Sequence, residues 1–107
     1  MMGQVSAKLR LVQNGGLMYW CQGCAERHIV RTGAGDGPRW GFNGDFAAPT
    51  FTPSVLITWR DPDGQIPDEV CHTFITAGMV QFLGDCTHAL AGQTLELPDL
   101  PPELRDA

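Results

Sequence analysis

Hydrophobic and polar residues alternate over several short stretches of the chain, and turn-forming residues bound each stretch. Between residues 8 and 12 the apolar side chains of Leu9 and Leu11 alternate with polar ones, and Asn14-Gly15-Gly16 then interrupts the pattern. An apolar run over residues 17–20 follows this turn. Alternation with a period of two is typical of a half-buried strand, and Asn-Gly is a strong hairpin signal. The pattern therefore predicts a β-hairpin near the amino-terminal end.

The clearest hairpin is predicted between Cys71 and Leu83, because both of its arms alternate and Ala77-Gly78 forms a two-residue turn between them. A short helix is predicted over 85–92, where Asp85 could cap the amino end and Gly92 the carboxyl end. Further short strands are predicted over residues 28–32, 40–42, 54–59 and 94–97.

Composition supports a fold built from such short elements. Thirteen glycines and eight prolines among 107 residues divide the chain into short pieces, which argues against a helical bundle. The length corresponds to one domain. We predict a mainly β fold: a small antiparallel sheet of short hairpins with a zinc-ribbon-like metal site and one short helix. The domain is predicted to span residues 1–97, and the proline-rich, acidic segment 98–107 to be an exposed tail.

Charge and hydropathy exclude several classes of partner. Seven basic against twelve acidic residues give a net charge of -5, which supplies no electrostatic footprint for nucleic acid or an anionic membrane. No apolar run approaches the roughly 18 to 20 residues that span a bilayer, and residues 1–11 lack the apolar stretch of a secretory signal. We therefore expect a cytoplasmic protein, in which closely spaced cysteines favour metal binding over structural disulfides.

Four cysteines supply the predicted metal site. Cys21-Gln22-Gly23-Cys24 is a C-x-x-C turn that directs two thiolates toward one ion. Cys71 lies at the open end of the predicted hairpin, and Cys86 follows just beyond that end. Since soft thiolate ligands in a tetrahedral arrangement suit zinc, we predict a Zn²⁺ ion bound by Cys21, Cys24, Cys71 and Cys86.

The three histidines are alternative ligands. His72 is the main rival of Cys71, because neighbouring residues of a strand point to opposite faces and do not easily bind the same ion. His28 and His88 are further candidates, although a lone histidine more commonly packs against other side chains or bonds to a carbonyl. The residues alone leave open whether Cys71 or His72 is the ligand.

The order of these motifs resembles that of a known family. The shared features are Trp20-Cys21-x-x-Cys24 with His28, the segments 40–44 and 49–54, Cys71-His72-x-Phe74-Ile75, and the segment 82–93. They are similar to those of small phage and prophage proteins of unknown function that are often mislabelled "ammonia monooxygenase", the name of a membrane enzyme. The resemblance covers about residues 17–98. It implies a Cys/His metal module encoded by mobile elements and located in the host cytoplasm, and it implies no reaction or catalytic residue.

Three functions are compatible with these features. A structural zinc module would bind another protein and have no activity of its own, because four thiolates leave no open position on the ion. A zinc hydrolase would instead use two thiolates, a histidine and a bound water, with Asp85 or Glu26 as general base. A thiol redox protein would use the Cys21 and Cys24 pair, although the sequence lacks the helix and the β-α-β framework that such a pair needs.

We favour the first of these functions, an interaction or accessory module with no catalytic residue, and leave open whether the protein is an enzyme. Its expected partner is an unidentified protein, and neither nucleic acid nor a membrane is expected. A short β protein with exposed strand edges could also pair with a second copy of itself as a homo-oligomer.

Overall fold

The computed structural model describes residues 3–105, which form two antiparallel sheets. The first sheet contains, in this order, β1 (Gly3–Gln4), β2 (Arg10–Val12), β3 (Gly16–Cys21) and β4 (Glu26–Arg31). The second contains, also in chain order, β5 (Gly41–Phe42), β6 (Phe51–Trp59), β7 (Glu69–Thr76), β8 (Met79–Phe82) and β9 (Thr94–Glu96). The mainly β prediction is therefore confirmed. Residues 1, 2, 106 and 107, over which the predicted domain and tail extend, lie outside the described part.

The two hairpins that the alternation predicts are present. Strands β7 and β8 pair Thr73 with Phe82 and Thr76 with Met79. Both residues of the intervening turn have positive φ, 50° at Ala77 and 78° at Gly78, as the favoured two-residue hairpin turns require. In the first hairpin β2 pairs with β3, and a 3-10 turn over Gln13–Gly15 connects them.

The predicted helix over 85–92 is wrong, because that segment is a series of turns. Its backbone groups bond to strand β7 or close short turns: the Thr87 N–H donates to the Val70 carbonyl at 2.9 Å, and the Ala91 N–H donates to the His88 carbonyl. The helices of the described residues are 3-10 turns at Gln13–Gly15 and Pro102–Leu104. Over this same range, no helix has the length and apolar character needed to cross a membrane.

Side chains from both sheets form one buried core. Alternation places every second residue of β7 in this core, so Cys71, Thr73 and Ile75 are buried whereas Phe74 is exposed. The largest fully buried side chains of the core cluster come from the loop before β2, from both sheets and from the segment after β9: Leu9, then Leu17 and Val30, then Phe51, Ile75 and Phe82, then Leu97.

The segment after β9 extends the core beyond the predicted domain boundary. Leu100 is fully buried, and its N–H donates to the carbonyl of Ala7 at 2.9 Å. Within the segment predicted to be a tail, the apolar side chain of Leu100 is thus removed from water, whereas Asp99 and Glu103 are exposed.

Candidate functional site

Cys21, Cys24, Cys71 and His88 each bring one ligand atom to a common point. The four ligand atoms all lie within 4.8 Å of one another. Cys21 Sγ is 3.8 Å from Cys71 Sγ, and His88 Nε2 is 3.4 Å from Cys71 Sγ. A tetrahedral ion with metal–sulfur bonds of about 2.3 Å holds two sulfurs about 3.8 Å apart. The donor set and its spacing therefore fit a metal ion.

The hairpin of β3 and β4 supplies the first two ligands. Cys21 ends β3, and Cys24 lies in the turn before β4, where its N–H donates to Cys21 Sγ at 3.4 Å. Gly23 leaves room for the ligand from the second sheet, since a Cβ at this position would lie 2.4 Å from the His88 ring. Any larger residue there would displace the imidazole.

Strand β7 and the turn after β8 supply the other two ligands. Cys71 points from β7 into the core, and the His88 ring packs edge-on against Phe82 with centroids 5.0 Å apart. The Leu90 N–H lies 3.2 Å from His88 Nδ1. The Leu90 N–H donates to Nδ1, which places the proton of a neutral ring on Nε2, toward Cys71 Sγ. A metal bound through Nε2 would displace that proton.

Hydrogen bonds, burial and charge within this cluster shift the pKa values of its thiols in opposite directions. The hydrogen bond from Cys71 lowers the pKa of Cys21 to about 3. Burial and the charge of Cys21 raise the pKa of Cys24 to about 12, and the hydrogen bond to Cys21 raises the pKa of Cys71. One thiolate thus suppresses ionisation of its neighbours, and a bound cation would remove this repulsion.

Tyr19 and His28 are two buried polar residues next to Cys21. Tyr19 and His28 form an edge-on ring pair with centroids 5.7 Å apart, and burial raises the pKa of Tyr19. A hydrogen bond from His28 also contributes to the lowered pKa of Cys21. His28, an alternative ligand in the sequence analysis, thus lies beside a ligand and outside the group of four.

Cys86, the remaining predicted ligand, also lies outside the group of four. Its sulfur brackets the backbone of His72: the His72 N–H donates to Cys86 Sγ at 3.2 Å, and the thiol donates to the His72 carbonyl at 3.3 Å. The structure thus brings together three of the four predicted cysteines, with His88 in the fourth position.

On the opposite face of β7, His72 lies between a hydroxyl and a carboxylate. His72 Nε2 is 2.9 Å from Ser54 Oγ, and His72 Nδ1 is 3.0 Å from Asp85 Oδ2. The carboxylate assigns the proton to Nδ1, so Nε2 is free to accept the proton of the hydroxyl. These three side chains have the connectivity of a Ser-His-Asp triad, in which a serine is activated as a nucleophile.

The second sheet and the turn after β8 position this triad. Ser54 lies where the pairing of β6 with β7 shifts register, between Phe51 and Val55, and its carbonyl accepts a hydrogen bond from Trp40 Nε1 at 3.2 Å. Asp85 follows Leu83, whose N–H donates to the His72 carbonyl at 2.9 Å. The side chains of His72 and Asp85 are 24 % and 55 % exposed, so this group of three is accessible from solvent.

Sequence reasoning did not identify the triad. Ser54 was assigned to a strand, and nothing in its immediate sequence distinguishes it from a structural serine. The sequence predicts His72 as an alternative metal ligand, and it predicts Asp85 as a helix cap or as the general base of a zinc hydrolase. The alternation of strand residues could have indicated it, because Cys71 and His72 point to opposite faces of β7. If Cys71 binds an ion on one face, then His72 must have other partners on the other face. Glu26, the other general-base candidate, lines a cavity of about 190 Å³ beside Cys24 and Cys71.

Comparison with known proteins identifies one matching family. A family model described as "Bacterial ubiquitination-like system serine protease (BubE)" matches residues 3–83. This range includes Ser54, His72 and the three clustered cysteines, while Asp85 and His88 follow it. No curated protein and no solved structure matches the chain significantly. The match fits the expected small family with shared cysteines and histidines.

Proposed function

The chain belongs to the BubE family of bacterial ubiquitination-like systems, and from this premise we propose that it is a serine peptidase. Ser54 is the nucleophile, His72 the general base, and Asp85 the residue that orients His72. The observation that carries this proposal is the continuous hydrogen-bonded chain from Ser54 Oγ through His72 to Asp85 Oδ2. The proposal replaces the non-catalytic interpretation that the sequence favoured.

The reaction follows from the positions of the three side chains. Ser54 Oγ attacks the carbonyl carbon of the scissile amide while His72 Nε2 takes the hydroxyl proton. Asp85 stabilises the imidazolium that forms, and His72 then donates the proton to the leaving amine. Water then gives a proton to His72 and attacks the ester carbonyl of the acyl-enzyme. His72 returns this proton to Ser54 Oγ as the ester bond breaks, which releases a carboxylic acid and free Ser54.

The substrate in this proposal is a protein. The family description names a protease of a ubiquitination-like system, which supports a peptide or isopeptide bond in a protein of such a system as the bond that is cleaved. The protein partner expected from the sequence thus becomes the substrate. The exposed position of the triad on the outer side of the sheet supports this, because a polypeptide needs an open surface to reach the hydroxyl.

We also propose that the group of four binds zinc as a structural ion. Three thiolates and one imidazole are a standard structural zinc set and fill a tetrahedral coordination sphere. A filled sphere favours this role over the zinc hydrolase, and the sharing of Cys21 and Cys24 with two further ligands favours it over the redox protein. The ion would connect the turn after β3 to β7, and it would take no part in the reaction. Reduced thiols support a cytoplasmic location, while encoding by a phage or prophage stays a prediction.

Labelling with a fluorophosphonate tests the catalytic proposal. This probe phosphonylates an activated serine, so we expect one label per chain on Ser54 by mass spectrometry and none in Ser54→Ala. Ser6, which accepts and donates hydrogen bonds far from the triad, provides the matched control variant Ser6→Ala. Labelling that persists in Ser54→Ala, or that is absent from the wild-type chain, contradicts the proposal.

Metal analysis tests the ligand set separately. We expect one zinc ion per chain in the wild type and in Cys86→Ser, and loss of the ion in Cys24→Ser and in His88→Ala. A Cys86→Ser variant that loses its ion while His88→Ala keeps it would restore the ligand set predicted from the sequence.

A further inference from the structure

Three large apolar side chains are exposed on the outer side of the second sheet, near the triad. We call Leu56, Phe74 and Met79 the outer patch; their exposed fractions are 54 %, 43 % and 41 %. Large apolar side chains that are exposed close together mark binding surfaces more often than isolated ones do. The outer patch is therefore a candidate binding surface, whereas a single exposed apolar residue would not be.

The register of the sheet places the outer patch on the same face as His72. Leu56 pairs directly with His72 across β6 and β7, and directly opposed residues share a face. Phe74 is two residues along β7 from His72 and so shares its face. Met79 pairs with Thr76, which continues the same row. Two of the three patch residues thus flank the general base.

The distances in a sheet limit where a substrate would meet these side chains. Opposed residues lie about 4.5 to 5.5 Å apart, and residues two apart on a strand lie about 6.6 Å apart. An extended peptide advances about 3.3 Å per residue. A peptide whose scissile carbonyl lies at Ser54 Oγ would therefore place side chains within three residues of the scissile bond against Leu56 or Phe74.

The polar neighbours of the patch favour an apolar ligand over a charged one. Phe74 pairs with Gln81, and Met79 is opposite Thr76 on one side, so both of these neighbours are uncharged. On its other side Met79 pairs with Glu96, whose carboxylate is bonded to Lys8 at 3.2 Å. A charged substrate side chain would lose water at this surface, and among these neighbours Glu96, which already pairs with Lys8, is the one charged group.

We infer that the outer patch is the substrate-binding surface of this peptidase, and that it selects an extended peptide with a bulky apolar side chain within three residues of the scissile bond. The inference rests on the proposed function, since it takes Ser54 as the attacking group. Leu56 and Phe74 are the specificity-determining residues, and burial of the substrate side chain between them supplies the selectivity.

The test compares Leu56→Asp and Phe74→Asp with Ile29→Asp in the full-length protein. Ile29 is 49 % exposed on a strand of the first sheet, so its variant introduces the same charge at a similar position away from the triad. Each protein is assayed with a library of short fluorogenic peptides that varies the residues flanking the scissile bond. Fluorophosphonate labelling of Ser54 is measured in parallel, because it reports whether the triad is intact and does not require an extended peptide to bind along the sheet.

We expect the wild-type protein to prefer peptides with leucine, phenylalanine or methionine near the scissile bond. Leu56→Asp and Phe74→Asp should lower kcat/KM for these peptides at least about tenfold, mainly through KM, since loss of one apolar contact changes selectivity about 10- to 200-fold. Ser54 should still be labelled in both variants, which shows that the triad is intact, and Ile29→Asp should behave as wild type.

The other outcomes overturn one or both proposals. Absence of labelling on the wild-type Ser54 overturns the proposed function and, with it, this inference. Normal labelling with no apolar preference, or with equal effects of all three variants, overturns the inference alone. An effect on a folded protein substrate but on none of the peptides would show that the patch docks a folded protein, which also overturns the peptide selectivity proposed here.

Discussion

The inner and outer faces of strand β7 carry different chemistry within two consecutive residues. Cys71 is 4 % exposed and belongs to the buried cluster of sulfur and imidazole ligands. His72, whose side chain is 24 % exposed, bonds to Ser54 and Asp85 on the other face. The inner face thus suits a structural ion that is kept from water. The outer face suits a reaction that needs access to water.

The turn after β8 contributes to both faces. Asp85 belongs to the triad, Cys86 brackets the backbone of His72, and His88 belongs to the cluster. An ion on the inner face would therefore hold in place the turn that carries the carboxylate of the outer face. The two groups share no side chain, so their chemistry is separate, but the turn after β8 connects them mechanically.

Ser54→Ala should give the largest effect on the outer face and none on the inner face. Loss of the nucleophile should lower kcat by about 10⁴- to 10⁶-fold, the range found when such a residue is removed from a triad. Zinc content and Tm should remain those of the wild type. A variant that lost its zinc together with its activity would show that the two faces are not chemically independent.

Asp85→Asn tests the orienting role within the same triad. The amide keeps the shape of the side chain but no longer stabilises the imidazolium, so kcat should fall by about 10³- to 10⁴-fold with little change in KM. Zinc content should again stay at one ion per chain, which atomic absorption can measure. A fall in kcat of less than tenfold would remove Asp85 from the proposed mechanism.

His88→Ala tests the mechanical link from the inner face. Structural zinc contributes its binding free energy to folding, so loss of the ion should lower the free energy of unfolding by at least about 3 kcal/mol. For a domain of this size that corresponds to a fall in Tm of about 12 to 24 °C. The kcat of the fraction that remains folded should also fall, because the turn carrying Asp85 is released. Wild-type stability in the presence of a strong chelator would contradict the structural role of the ion.

Cys86→Ala should give the smallest effect of these variants. Cys86 belongs to neither the triad nor the cluster, so its loss tests how the turn supports His72 while His88 stays in place. It removes both sulfur hydrogen bonds to His72, which should lower the free energy of unfolding by about 1 to 2 kcal/mol and kcat severalfold. Cys86→Ser should recover part of both losses, since its hydroxyl can still donate and accept. Thermal unfolding and metal analysis of the two variants check this, and zinc content should be unchanged in each.

Local patterns in the sequence were sufficient to predict most strands and both hairpins named above. Alternation decides which residues of a strand share a face, and Gly78, Asn14 and Gly15 are residue types that adopt positive φ readily. The C-x-x-C pair is likewise a local feature, because both ligands lie in one turn. The helix over 85–92 was mispredicted since its capping signals are weak compared with the hydrogen bonds that strand β7 offers to Thr87.

The sequence by itself determined the strand pattern, two of the four clustered residues as a C-x-x-C pair, and the fact that Cys71 and His72 face opposite ways. Only the tertiary structure decided that His88 completes the cluster in place of Cys86, and that Ser54 and Asp85 meet His72. The physical reason is that these contacts join residues far apart in the chain. Such contacts depend on the register of β6 against β7 and on the path of one irregular turn, and neither leaves a periodic signal in the sequence.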